Sequence, residues 1–224
     1  GQAELVDAIM GLRPLASGEV WLDGGVKGDG GNVGLEDVTA WSTRARREAG
    51  LGVIPEDRHR QGMLLEAPLW ENRVLGHQTL PPSAKGFFID RKAARADTVR
   101  IMEQYDVRAP GPDTLAVALS GGNQQKLIVG REMSSDPRLL IAAHPTRGVD
   151  IGAQAAIWEL LKKARAEGMG ILLISADLDE LIGLSDTLKV MLRGRLVATL
   201  DPSSVTPEEL GGHMTGAVTA AGAA

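Results

Sequence analysis

Between Gly121 and Ser175 the sequence switches repeatedly between a helical period and short all-apolar runs, and this alternation restricts the fold more than any other feature. Gly121 to Met133 reads as a helix and Arg138 to Ala143 as a buried strand. Ile151 to Glu167 follows as a helix whose Ala153, Ala156, Ile157, Leu160, Leu161 and Ala164 form one apolar stripe. Gly168 stands where a helix-ending glycine belongs, and Met169 to Ser175 is a further buried strand. Buried strands joined by helices imply a mainly parallel sheet in a three-layer α/β core.

The flanking elements fit this core. A helix is expected at Glu4 to Leu12, with Leu5, Ala8, Ile9 and Leu12 on one face, and a short strand at Gly18 to Leu22. Gly24 to Gly34 is glycine-rich and reads as a flexible loop. Ser42 to Ala49 is helix-forming and leads to a strand at Leu51 to Ile54, stopped by Pro55. Residues 62–118 carry the weakest strand signals and are expected to be a helical subdomain inserted into the core. Its clearest element is a helix from an Asp90 cap to Tyr105, with Ala94, Thr98, Ile101, Met102 and Tyr105 on one face. A short helix at Asp177 to Leu184 precedes a hairpin, Thr187 to Leu192 and Leu196 to Leu200, around Arg193-Gly194. The Ala/Gly-rich tail, 215–224, is expected to fray. No internal repeat is visible, so 1–224 is read as a single domain.

Composition narrows the class. The chain has 224 residues, enough for one sizeable α/β domain, and its longest apolar runs are too short to cross a bilayer. It contains no cysteine, which excludes a disulfide framework and thiolate metal sites and fits a reducing compartment. A net charge of −5 argues against a nucleic-acid partner. His59, His77 and His213 show no metal-ligand spacing, and no metal site is expected.

Five segments carry chemistry. Leu119 to Lys126 reads LSGGNQQK: Ser120 can cap the following helix, and Gly121 and Gly122 let a ligand approach the backbone. A helix start of this kind, with exposed N–H groups and the positive dipole end, is a natural phosphate site. Leu139 to Asp150 reads LLIAAHPTRGVD. The chain opens on Gly1-Gln2-Ala3, and GVIPEDRHRQG and LLISADLDEL supply two further loops. Asp177, Asp179 and Glu180 are read as stabilising a helix N-terminus rather than as a catalytic acid pair.

In this order the segments resemble the landmarks of ABC ATPases. LSGGNQQK is similar to the signature loop, with Ser120, Gly121, Gly122, Asn123 and Gln124, and LLIAAHPTRGVD to the Walker B strand and D-loop ending at Asp150. The resemblance puts Ala143 where the family has the Asp that holds Mg²⁺ through water, and His144 where it has the catalytic Glu. Neither residue can organise a cation or neutralise transferring charge. His144 is read as a polar residue at a strand end rather than a substitute base. Gly1, Gln2 and Ala3 align with the end of a Walker A loop, with Gln2 lacking the charge and Ala3 the hydroxyl. Glu56 stands at the Q-loop position and Ala176 at the switch His.

The closest resemblance is to the second, C-terminal, degenerate nucleotide-binding domain of the tandem ATPases serving bacterial sugar and nucleoside importers. PEDRHRQG looks nearer to the nucleoside branch than to the ribose branch. The resemblance implies a P-loop NTPase fold with the N-terminal strand and most of the P-loop missing. That loss would leave strand edges open, so poor stability, aggregation or edge pairing is expected. It also implies ATP and Mg²⁺ held mainly by a partner domain, the N-terminal nucleotide-binding domain of the same polypeptide. Ser120, Gly121 and Gly122 would close over the γ-phosphate, and Asp150 would couple the sites. Residues 62–118 would dock on transmembrane permease subunits, with an external solute-binding protein as an indirect partner. The implied location is peripheral, on the cytoplasmic face of the bacterial membrane. A soluble non-transport ABC ATPase of translation or DNA repair is the alternative, disfavoured by the absence of basic arms. A Rossmann module lacks a correctly placed G-x-G-x-x-G.

Overall fold

The computed structural model describes residues 1–23 and 34–217. Along the chain lie α1 (Gln2–Met10), β1 (Trp21–Asp23), β2 (Leu35–Asp37), α2 (Thr43–Glu48) and β3 (Leu51–Ile54). Next come α3 (Leu69–Val74), β4 (Ala84–Lys85), β5 (Phe88–Ile89), α4 (Arg91–Gln104) and α5 (Gly121–Met133). The chain continues through β6 (Leu139–Ala143), α6 (Ile151–Ala166), β7 (Gly170–Ile174), α7 (Leu178–Leu184), β8 (Leu188–Leu192), β9 (Arg195–Leu200) and α8 (Pro207–Thr215). A π-helical turn spans Arg58–Gly62 and a 3₁₀ turn Ala116–Ala118. Among the described residues no helix is long and apolar enough to cross a membrane. The chain divides into two compact units, 50–172 and 1–49 with 173–224.

In the 50–172 unit, β3 pairs in parallel with β6, Leu51 opposite Leu139 through Ile54 opposite Ala142, and β7 follows in the order β3-β6-β7. Ile54, Leu140, Ile141 and Ala142 are completely buried, as strands covered on both faces require. Helix α5 packs on β3, α4 and α6. Gly130 permits the α4 crossing, since a Cβ there would lie 2.7 Å from Ile101 Cγ2. On α4 the buried face is Ala94, Asp97, Thr98 and Ile101, with Tyr105 beyond its end. Met102, expected on that face, is half-buried, and Asp97 is among the residues that face inward. Helix α6 buries Ala153, Ile157, Leu161 and Ala164, and the rest of the expected stripe, Ala156 and Leu160, lies half-buried along its border.

The other unit holds α1, whose helix ends earlier than its apolar period. Gly11 takes a left-handed φ of 75° and stops it, so Leu12 is exposed and Met10, not Leu5, is the buried residue. Arg46 of α2, 2 % exposed, closes that end. Its Nη1 donates to Ala8 O (2.8 Å) and Ile9 O (2.6 Å), and its Nη2 to Thr39 O (2.7 Å). The expected strand at Gly18 to Leu22 is β1, shifted towards Asp23 because its partner is β2, antiparallel and absent from the expected elements. Residues 24–33, most of the expected glycine loop, lie outside the described residues. Strands β8 and β9 form the expected hairpin, with Arg193 and Gly194 both at positive φ in its turn. Helix α8, not expected, seals it: Leu210 packs with Leu188 and Val190. Of the expected tail, Thr215 ends α8, Gly216 is its left-handed cap, and 218–224 lie outside the described residues.

Candidate functional site

Helix α5 begins at Ser120, whose Oγ accepts from Asn123 N (3.4 Å) and Asn123 Nδ2 (3.1 Å). Such a cap contributes about 1 kcal/mol and fixes the direction of the helix axis. Asn123 then accepts from Arg108 N (2.9 Å), tying the helix start to the chain after α4. Ser120 is exposed, Gly121 half-buried and Gly122 buried. The glycines serve a close approach within the chain itself. A Cβ on Gly121 would lie 3.1 Å from Gly148 O and 2.9 Å from Arg58 Nη2, and one on Gly122 3.0 Å from Asp150 Oδ2.

Asp150 caps α6, accepting from Ala153 N at 2.9 Å. That backbone hydrogen bond is the main cause holding its carboxyl below the usual carboxylate value. Signature-like and D-loop-like segments are therefore adjacent in space: two helix N-termini meet through glycine.

Beside them, between the turn after β3 and the Arg147–Gly148 turn, lies a cleft of about 690 Å³ whose lining includes Glu56, Arg58, His59, Arg60, Arg147 and Gly148. Glu56 pairs with Arg147, Nη1 to Oε1 at 2.9 Å, on an exposed rim. Arg58 reaches further in, with Nη1 donating to Arg147 O (2.9 Å) and Nε to Gln124 Oε1 (3.3 Å). His59 Nε2 meets the same Gln124 oxygen at 2.9 Å. Gln124, 6 % exposed, completes its bonding by donating to Ala116 O (3.2 Å). Asp57 positions Arg58 and His59 by accepting from His59 N and Arg60 N, starting the π-helical turn.

At the end of β6, Ala143 is buried and His144 has a φ of 49°, a left-handed conformation that His, Asn and Asp adopt more readily than other side chains. This turn carries the chain into Pro145 and the Arg147–Gly148 segment. A cation there would meet a methyl group and an imidazole where Mg²⁺ needs oxygen ligands. The residues present do not fit that ion. Among the described residues no cluster of three His, Cys, Asp or Glu side chains is placed to hold a metal.

In the other unit, Gly1, Gln2 and Ala3 are exposed at the start of α1. A Cβ on Gly1 would lie 2.9 Å from Met191 Sδ, so α1 starts against β8. Ala176 is exposed in the turn before α7, where Asp177 accepts from Glu180 N and caps the helix.

Sequence reasoning missed the buried charges beside α5. Glu132, 1 % exposed, accepts from Arg131 Nε (2.8 Å) and from Val53 N of β3 (3.2 Å), while Arg131 Nη1 donates to Gly62 O (2.8 Å). Arg73 pairs with Asp97 at 2.7 Å, both nearly inaccessible. Burial pushes the Arg73 guanidinium below its ordinary value, and Asp97 opposes that. The available signal was helical spacing, since Asp97 falls on the same stripe as Ala94 and Ile101.

No family model matches the chain. It is 40 % identical over 220 residues to the guanosine import ATP-binding protein NupO of Bacillus subtilis, covering 96 % of this chain and 40 % of that protein. It is 40 % identical over 216 residues to the nucleoside import ATP-binding protein NupA of Lactococcus lactis, with the same coverage. A ribose import ATP-binding protein, RbsA of Geobacillus kaustophilus, is 34 % identical over 216 residues, covering 96 % of this chain and 41 % of its own. The chain thus spans about 40 % of the length of these relatives. Among solved structures, the dimeric post-hydrolysis state of the ATP-binding cassette MJ0796 bound to ADP and Pi superposes with a TM-score of 0.71 at 17 % identity, covering 90 % of this chain and 81 % of that one. A nucleotide-free ATP-binding cassette from an ABC transporter gives 0.70 at 20 % identity, covering 96 % and 80 %.

Proposed function

This chain has the ATP-binding cassette fold, and on that premise we propose that its nucleotide chemistry acts in trans. It is the second, C-terminal nucleotide-binding domain of an importer ATP-binding protein for a simple sugar or nucleoside. A first nucleotide-binding domain accompanies it in the same polypeptide. Its length, about 40 % of each relative, accommodates that arrangement.

One contrast carries the reading. The α5 start is fully built, capped by Ser120 and braced by Gln124, Arg58 and Asp150. The β6 end carries Ala143 and His144, which offer a cation nothing. A domain of this kind keeps the loop that closes over a partner's ATP and has lost the acid groups of its own site. ATP would supply the transferable phosphoryl group and Mg²⁺ its charge neutralisation, both on the partner. The residues of this chain would orient the γ-phosphate through Ser120 and Gly121 at a helix N-terminus. Asp150, in van der Waals reach of Gly122, links that loop to α6. Residues 62–118 form the surface that docks on permease subunits at the cytoplasmic face of the membrane, with an external binding protein selecting the solute.

The test uses the tandem protein with its permease in proteoliposomes. Ser120→Arg should abolish ATP-driven uptake while leaving the protein assembled on the permease. The isolated chain should show no Mg²⁺-dependent ATP turnover. Robust turnover by that chain, or full uptake by the variant, overturns the proposal.

A further inference from the structure

We propose that the β4–β5 hairpin tip is a lipid-contacting element that seats Phe87 and Phe88 among the headgroups of an anionic bilayer surface. The hairpin is built to hold both rings outward. Lys85 pairs with Phe88 and Ala84 with Ile89, and Gly86 makes the turn at a φ of 61°. Its base is pinned where Asp90 N donates to Ser83 O at 2.8 Å, Ser83 being buried. Asp90 then caps α4 through Lys92 N and Ala93 N, both at 3.0 Å. Phe87 is fully exposed, Phe88 is 79 % exposed and Ile89 43 %. Three consecutive large apolar side chains on a fixed tip are costly in water and call for a partner.

Charge identifies that partner. Lys85 beside the tip and Arg91 and Lys92 at its base are all exposed, and the intervening carboxylate of Asp90 is engaged in the helix cap. This local excess of cations stands out in a chain of net charge −5. Aromatic rings with a basic collar match the layer where acyl chains meet anionic headgroups. The tip suits shallow insertion that adds to the permease docking proposed for the rest of residues 62–118. The inference rests on the proposed membrane-peripheral role for its purpose, and its test needs neither nucleotide nor permease.

Because the chain has no cysteine, Phe87→Cys provides one labelling site. An environment-sensitive fluorophore there should shift to the blue with phosphatidylcholine vesicles containing phosphatidylglycerol, and not with phosphatidylcholine alone. Unlabelled protein should float with the anionic vesicles, and Phe87→Ser/Phe88→Ser should lower the bound fraction by about tenfold. Lys85→Glu/Arg91→Glu/Lys92→Glu should do the same with both rings intact, and unchanged melting temperatures would confirm that the variants are folded. No spectral shift, equal binding to neutral vesicles, or unaltered flotation of either variant overturns the proposal. So does a photoreactive label at position 87 that cross-links in native membranes to a polypeptide instead of lipid. Failure here leaves the trans-acting reading untouched, since the vesicles carry no ATP.

Discussion

Arg58 Nε lies 3.3 Å from Gln124 Oε1, joining the turn after β3 to the buried side of the α5 start across 66 residues of sequence. The same amide oxygen meets His59 at 2.9 Å, so one buried glutamine organises two consecutive cleft residues. Gln124→Ala should destabilise the chain by about 1–3 kcal/mol, because it strands groups that Gln124 satisfies. Arg58→Ala should cost less, and the two losses should be sub-additive by about 0.5–2 kcal/mol. Urea unfolding of the two single variants and the double variant measures this, and strict additivity rejects the coupling.

Arg46→Met should cost about 3 kcal/mol, since it leaves the α1 C-terminal carbonyls and Thr39 O without a donor inside a buried site. Arg46→Lys should recover little of this, because an ammonium cannot fork to carbonyls of separate segments. Equilibrium unfolding should place the lysine variant much closer to methionine than to the parent.

Gly130→Ala should destabilise by about 1–3 kcal/mol by overpacking the α4–α5 crossing. Gly111→Ala, where a methyl meets nothing within 4 Å, should be neutral. Thermal melts of the pair separate tight packing from a general intolerance of alanine.

Asp90, Asp106, Asp150 and Asp201 all have carboxyl groups held below the ordinary 3.8, through hydrogen bonds to the backbone or to neighbouring side chains. The unfolded chain therefore takes up protons first as pH falls. Their stabilisation is complete above the ordinary carboxylate range and is lost as pH drops through the lower folded values. Melting temperature should decline below about pH 4. Asp150→Asn, which keeps an N-cap acceptor, should hold the neutral-pH melt and flatten that acid limb. A steeper acid decline in the variant contradicts the assignment.

The β6 end should make nucleotide binding by the isolated chain independent of Mg²⁺. Any shift in melting temperature with ATP should be the same with magnesium as with EDTA. A shift that appears only with magnesium would show that Ala143 and His144 are replaced by oxygen ligands from elsewhere.

The elements legible in the sequence are those specified by near neighbours. Helix α5 starts at Ser120, and β3 and β6 fall at or within one residue of their apolar runs. Helix α8 was equally local: Thr206 accepts from Glu209 N with Pro207 at the first helical position, a capping signature that went unread. Strand β2 was not legible, because a three-residue exposed strand exists only through pairing with β1. In the site, the motif residues could be ranked by chemistry, but not the bracing around them. Gln124 looks like any polar helix residue until Arg58, His59 and Ala116 are brought to it. Glu132 and Asp97 sit on apolar stripes as apparent errors until Val53 N and Arg73 appear as partners.

The glycine contact between the two helix starts has a mechanical consequence. Gly121 lets the two backbones approach with only the Arg58 guanidinium beside them, its Nη2 donating to Gly148 O at 3.5 Å. A displacement of the helix start should therefore reach the Arg147–Gly148 turn through close backbone contact and the Arg58 fork. A single methyl at position 121 would act there as a shim, altering the travel of the joint before it altered the strength of any bond.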